Sequence, residues 1–226
     1  MSLTEEQNII ILDTIEFVKE TLYKAEGGHD WWHIFRVWNN AKKINIEEHG
    51  NQLIVELAAL LHDIADSKFN NGDETVGPKL AVEFLSKQNL DNTTIQNIKK
   101  IIENISFKGG RVQQNFESKE LNIVQDADRL DAIGAIGIAR TFNYGGFKNR
   151  EIYNPNISPN LNMTKEEYKN STAPTINHFY EKLLLLKDKM NTNTGFKLAK
   201  ERHAFMLLFL EQFYSESSSL PHWHKH

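Results

Sequence analysis

His62 and Asp63 stand side by side in the otherwise apolar run Leu60-Leu61-His62-Asp63-Ile64-Ala65, with His33 upstream and Asp126-Ala127-Asp128-Arg129-Leu130-Asp131 downstream. Imidazole nitrogens and carboxylate oxygens together form a mixed donor set suited to Mn, Fe, Co, Ni or Zn ions. Three or four such donors leave positions open for water and a substrate oxygen, where a divalent ion acidifies the water and polarises a phosphoryl or carbonyl group. The chemistry indicated is metal-assisted hydrolysis. Each residue alone has a plainer reading: a His on an apolar helix as a hydrogen-bonded core residue, and Asp128 as a cap or the ion-pair partner of Arg129. The set resists that reading, because a buried Asp63 is costly unless a cation or a dense hydrogen-bond network balances it.

A second metal pattern, His29-Asp30-Trp31-Trp32-His33, has the spacing of the zinc proteases with Asp in place of Glu. Asp30 reads better as a helix N-cap, which leaves His29 ahead of the helix and off the face of His33.

The elements that must position these residues are helical. Thr4 and Gln7 form a capping-box pattern ahead of a first helix ending at Gly27-Gly28, and Asp30 opens a second running to Gly50. Residues 53–66 read as one short, nearly all-apolar helix carrying His62 and Asp63 about 100° apart. Further helices are predicted over 75–88, 93–106 and 117–140, the last broken or tightly packed around Gly134 and Gly137. Residues 143–172 have loop composition, with Gly145-Gly146, Pro155 and Pro159, and a loop of that length is usually functional. Helices over 175–190 and 195–215 close the pattern. No alternating strand pattern and no repeat interrupts it, so the expectation is one all-α domain over 1–226, a helical bundle with its metal site between helices. Its core would span about 27–140, with the helices of 175–215 packed on it.

Composition bounds the partners. The 226 residues are 40 % hydrophobic and 25 % charged with a net charge of -4, which argues against a nucleic-acid coat and for a small ligand. The absence of Cys excludes thiolate metal sites and cysteine nucleophiles and fits a reducing cytoplasm, the expected location. The N-terminal residues lack the pattern of a secretory signal, and no apolar run approaches the roughly 18 residues of a membrane span. The His-rich end after Ser215–Ser219 reads as frayed and is given no role.

Taken in order, His33-Ile34-Phe35-Arg36-Val37, Leu61-His62-Asp63 and Asp126-Ala127-Asp128-Arg129-Leu130 resemble the motifs of the HD-domain metal-dependent phosphohydrolases. Gly28-His29-Asp30-Trp31-Trp32-His33, Ile105-Ser106-Phe107-Lys108-Gly109-Gly110, the stretch following Asp128 and Asn177-His178-Phe179-Tyr180-Glu181-Lys182 are similar to a bacterial subgroup of single-domain nucleoside triphosphate pyrophosphohydrolases. The resemblance implies an all-α fold, His33, His62, Asp63 and Asp128 as ligands of a divalent ion such as Mn (or Fe, Co, Ni, Zn or Mg), and release of pyrophosphate from a nucleotide. The rival readings are a nucleoside monophosphate phosphatase and a non-catalytic metal- and nucleotide-binding sensor. A homodimer is left open.

Around that set, Asp66 follows His62 by four residues and Asp63 by three, so on a continued helix it would share their face and take the proton of the attacking water. Lys68 lies just beyond, within reach of a phosphate. Lys108 and Arg111 flank Gly109-Gly110 in a cationic loop whose glycines allow close approach of an anion. Arg140 is read as a phosphate ligand or a partner of a helix C-terminus. Arg36 is read as an ion-pair partner of Asp131. His178 and Lys182, one helical turn apart, form a further substrate-facing pair, and Tyr144 and Phe147 could stack a base.

Overall fold

Side-chain caps set where the helices begin. Thr4 Oγ1 accepts from Gln7 N at 3.2 Å while Thr4 N donates to Gln7 Oε1 at 3.0 Å, opening α1 (Glu5–Thr21). Asp30 opens α2 (Trp31–Glu48), and Asn51 Oδ1, accepting from Ile54 N at 3.2 Å, opens α3 (Gln52–Leu61). After α4 (Val76–Leu85), Asp91 accepts from Thr94 N at 2.9 Å to open α5 (Asn92–Asn104), and Ser118 accepts from Leu121 N at 3.0 Å at the head of α6 (Lys119–Asp131). The computed structural model describes residues 3–23, 30–65, 73–105 and 116–217; among these, every regular element is a helix. None of the described helices is long and apolar enough to cross a membrane.

The chain forms two compact units, Met1–Asp128 and Arg129–His226. In the first, α3 is the centre: Val55, Leu57, Ala58, Ala59, Leu60 and Leu61 are all 0 % exposed, and α1, α2 and α5 pack against them. An element apolar on every side is stable only when neighbours cover it all round. Polar ties fix how those neighbours sit. Trp38 Nε1 donates to the buried Glu56 at 2.9 Å, which also accepts from Gln52 Nε2 at 2.9 Å, joining α2 to α3. Asn51 N donates to Glu120 Oε1 at 2.9 Å, joining α3 to α6, and Gln125 Nε2 donates to Asn104 O at 2.8 Å, joining α6 to α5.

The second unit comprises α7 (Gly134–Phe147), α8 (Lys165–Asn170), α9 (Asn177–Glu181), a 3₁₀ segment (Leu183–Lys189) and α10 (Asn193–Glu216). Its core is aromatic, with the Phe142, Phe179 and Phe209 rings 5.7 to 6.1 Å apart and Phe213, Tyr153 and Tyr214 continuing the cluster.

The structure corrects several sequence-based boundaries. The helix predicted over 53–66 stops at Leu61, and the His62 ring that follows sits 2.8 Å from Ala59 O. The predicted 117–140 helix is two, divided where Gly134 adopts φ +76, and a Cβ at Gly137 would fall 2.2 Å from Ala132 O. The predicted 143–172 loop begins only after Phe147 and contains α8; Gly145 is helical, and a Cβ there would strike Thr175 Oγ1 at 2.3 Å, so the glycine serves a close approach rather than a turn. The predicted 175–190 helix is interrupted at Lys182, whose φ -144 and ψ -57 are not helical, and resumes as the 3₁₀ segment.

Candidate metal centre

Within the first unit, three helix-borne side chains converge. His33 lies in the opening turn of α2, where Asp30 Oδ1 accepts from its backbone amide at 3.0 Å, and it is 2 % exposed. Asp30 is the cap of α2, and His29 of the zinc-protease pattern lies outside the described residues. His62 is the residue on which α3 ends, and its side chain is 4 % exposed. Asp128 lies near the end of α6, half-buried.

Asp128 Oδ1 is 3.6 Å from His33 Nε2 and 3.8 Å from His62 Nε2, and Asp63 Oδ2 is 3.9 Å from His33 Nε2. These separations exceed hydrogen-bond lengths. Donors sharing one ion at about 2.0 to 2.3 Å sit roughly 3 to 4 Å from each other, which is the spacing found. Among the described residues, one ligand atom each from His33, His62 and Asp128 lies within 4.8 Å of the others.

The His62 ring carries the strongest indication. A carbonyl oxygen only accepts, so Nδ1 holds the proton toward Ala59 O and Nε2 carries a bare lone pair. Burial holds the imidazole below its ordinary pKa; His33 adds to that shift, while Asp128 and Asp63 oppose it. The result is a neutral ring whose Nε2 is buried without a hydrogen-bond partner, aimed among carboxylates. A metal-binding His commonly has its other nitrogen fixed by a backbone carbonyl in this way. The donor set fits a divalent first-row ion.

Asp63, 22 % exposed, lies beyond the end of α3, so the neighbouring-residue geometry of a continuous helix does not apply to it. Asp66, Lys68, Lys108 and Arg111 lie outside the described residues. The remaining predicted residues fall in the second unit. Arg140 Nη1 donates to the carboxylate of the buried Asp131. His178, at the start of α9, is pushed down to about 3 by burial and then by Lys182 and Arg150, so it is neutral near pH 7. Lys182 follows it by one turn, its amide donating to His178 O at 3.0 Å. Tyr144 and Phe147 are exposed on α7, with the Lys148 ammonium 5.8 and 5.5 Å from their ring centres.

Sequence reading missed Glu56 and Trp38, which set how α2 and α3 carry His33 and His62. The available signal was a lone carboxylate inside the apolar run of α3.

Residues 31–133 match the HD domain. The uncharacterized protein YpgQ of Bacillus subtilis (strain 168) is 38 % identical over 201 residues, spanning 87 % of this chain and 88 % of the relative. An HD-superfamily hydrolase from Bacillus thuringiensis, 43 % identical, superposes with a TM-score of 0.76 over 95 % of this chain and 100 % of that one. Bacillus subtilis YpgQ in complex with ADP, 33 % identical, superposes with a TM-score of 0.70 over 93 % of this chain and 96 % of its own.

Proposed function

Since the chain belongs to the HD-domain family of metal-dependent hydrolases, we propose that it cleaves a nucleotide phosphoanhydride, converting a nucleoside triphosphate to the monophosphate and pyrophosphate. The observation that carries the metal part of this reading is the bare, buried Nε2 of His62 facing His33 and Asp128. The ADP held by the related YpgQ supports a nucleotide as the ligand.

His33, His62, Asp63 and Asp128 would hold the ion, with Mn the favoured metal. When bound, such an ion supplies Lewis acidity toward a phosphate oxygen and lowers the pKa of water. The protein's own side chains do the rest. Asp66 accepts the proton of the attacking water, and Lys68 and Lys108 offset charge that grows on the phosphate oxygens. Arg111 extends that cationic loop. His178 contributes a hydrogen bond to substrate rather than charge, because its ring is neutral, and Lys182 contributes the charge. Arg140, bonded to Asp131, acts by holding that carboxylate. Residues 1–226 work as one hydrolase domain; a single cooperative calorimetric transition is expected, and two resolved transitions would count against it.

The test is metal-free protein reconstituted with single ions and assayed against a nucleotide panel for phosphate and pyrophosphate together. Pyrophosphate from triphosphates is the expected product. Phosphate from monophosphates would favour the phosphatase reading, and binding without turnover would favour the sensor.

A further inference from the structure

The ligand triangle of the first unit has three edges, and each edge joins two helices. His33 stands on α2, His62 at the end of α3 and Asp128 on α6. The two imidazole ring centres are 5.3 Å apart, and Asp128 Oδ1 lies 3.6 Å from His33 Nε2 and 3.8 Å from His62 Nε2. Metal–ligand lengths hold to within about 0.2 Å, so small slips of one helix past another decide whether three donors can share an ion.

A polar tie accompanies each edge. Trp38 to Glu56 joins α2 to α3, and Asn51 to Glu120 joins α3 to α6. The pair α2 and α6 has its own, with Asn40 Nδ2 donating to Ala127 O at 3.4 Å. The first two are applied away from the centre, because Glu56 lies in the middle of α3 and Asn51 at the end opposite His62. The third ends on the residue covalently joined to Asp128.

The place of this amide in α2 shows what it is for. Asn40 follows His33 by about two helical turns, which sets it within about 20° of the same line of the helix. That line and its flanks otherwise carry Val37, Ala41 and Ile44, each 0 % exposed. A half-buried amide among aliphatic side chains is costly without a partner, and the carbonyl of the fully buried Ala127 supplies one. The bond is long, so it contributes little to the stability of the fold. What it sets is the register of one ligand-bearing helix against another.

We propose that Asn40 is a positioning residue of the metal centre: its amide holds Ala127, and through it Asp128, at the distance from His33 at which both can ligate one ion. The proposal rests on the metal reading given above and adds to it a side chain that touches neither ion nor substrate.

The test is titration of the metal-free full chain with Mn and with Co against a competing chelator, with circular dichroism and denaturant unfolding of each metal-free variant alongside. Asn40→Leu and Asn40→Ala remove the donor, with and without its bulk, and Asn40→Gln keeps it. Asn40→Leu and Asn40→Ala should each raise the Kd of the ion about 10-fold or more. Both should also alter the visible absorption of the cobalt-loaded protein, which reports the geometry of the ligands. Asn40→Gln should stay near wild type in affinity and spectrum, and the unfolding midpoint of the metal-free chain should move little in any variant. Unchanged affinity and spectrum in Asn40→Leu would overturn the proposal, as would a loss that Asn40→Gln does not restore, or one explained by loss of the metal-free fold. If Asn40→Leu does not fold, Asn40→Ala decides by the same readings. Wild type that takes up no ion would remove the metal centre itself, and this proposal with it.

Discussion

Two histidines, one in each unit, are held neutral by the same cause and surrounded by opposite company. His62 is desolvated at the end of α3 with Asp128 and Asp63 as neighbours; His178 is desolvated at the head of α9 with Lys182 and Arg150 as neighbours. A positive ion brought to His62 meets carboxylates that already favour positive charge, whereas one brought to His178 meets two cations that repel it. Burial of an imidazole therefore does not mark a metal site. The sign of the charges around the buried lone pair does.

Exchanging the two regions' fates would break the comparison most directly. Asp63→Ala is expected to abolish stoichiometric metal binding and lower turnover on the order of 10³-fold, while His178→Ala should keep full metal content, both read by elemental analysis beside kinetics. Metal loss in the second variant would place His178 in the centre and undo the contrast. At a smaller expected size, Asp66→Asn should retain metal and nucleotide binding but lower kcat about 10²-fold or more, since it removes a proton acceptor and no ligand. An unchanged kcat would return Asp66 to an ordinary surface role.

The scaffold of the first unit supplies a third contrast. Glu56→Ala leaves the Trp38 indole N–H without its acceptor, and a loss of about 1 to 3 kcal/mol in denaturant unfolding is expected. A loss below about 0.5 kcal/mol would mean that the Trp38 to Glu56 bond does not hold α2 on α3.

A further effect concerns acid. His178 has a folded pKa of about 3 against the usual 6.5, so between those values the unfolded chain binds a proton that the folded chain does not. Its contribution is fully present above pH 6.5 and is lost as pH falls toward 3. Replacing His178 with Gln should flatten the acid limb of stability measured on metal-free protein, and an unaltered limb would refute the assignment.

Much of this was legible in the amino-acid order. Thr4, Asp30 and the nearly all-apolar α3 were readable because caps and periodicity act over a few residues, and His62 and Asp63 stood out as polar groups in an apolar run, with His33 and Asp128 as matching donors from elsewhere in the chain. What stayed hidden depended on contacts between distant parts of the chain. Gly145-Gly146 looks like a loop until Thr175 is seen pressed against Gly145, and 175–190 looks like one helix although Lys182 leaves the helical region. The end of α3 was hidden for a subtler reason. No Gly or Pro announces it, and the residue on which it stops is a His whose ring lies against the carbonyl of Ala59.

That helix is anchored at both ends against the same neighbour. Asn51 at its start bonds Glu120 in the first turn of α6, and His62 at its end lies beside Asp128, eight residues further along α6. The two contacts come in the same order along both helices, so α3 behaves as a ruler of ten residues, about 15 Å long. Its inheritable property is its length. Adding or deleting one residue inside it would swing His62 by about 100° and shift it about 1.5 Å, whichever amino acid was involved. The length of α3, more than the identity of its core residues, is what keeps His62 beside Asp128 while Asn51 stays bonded to Glu120.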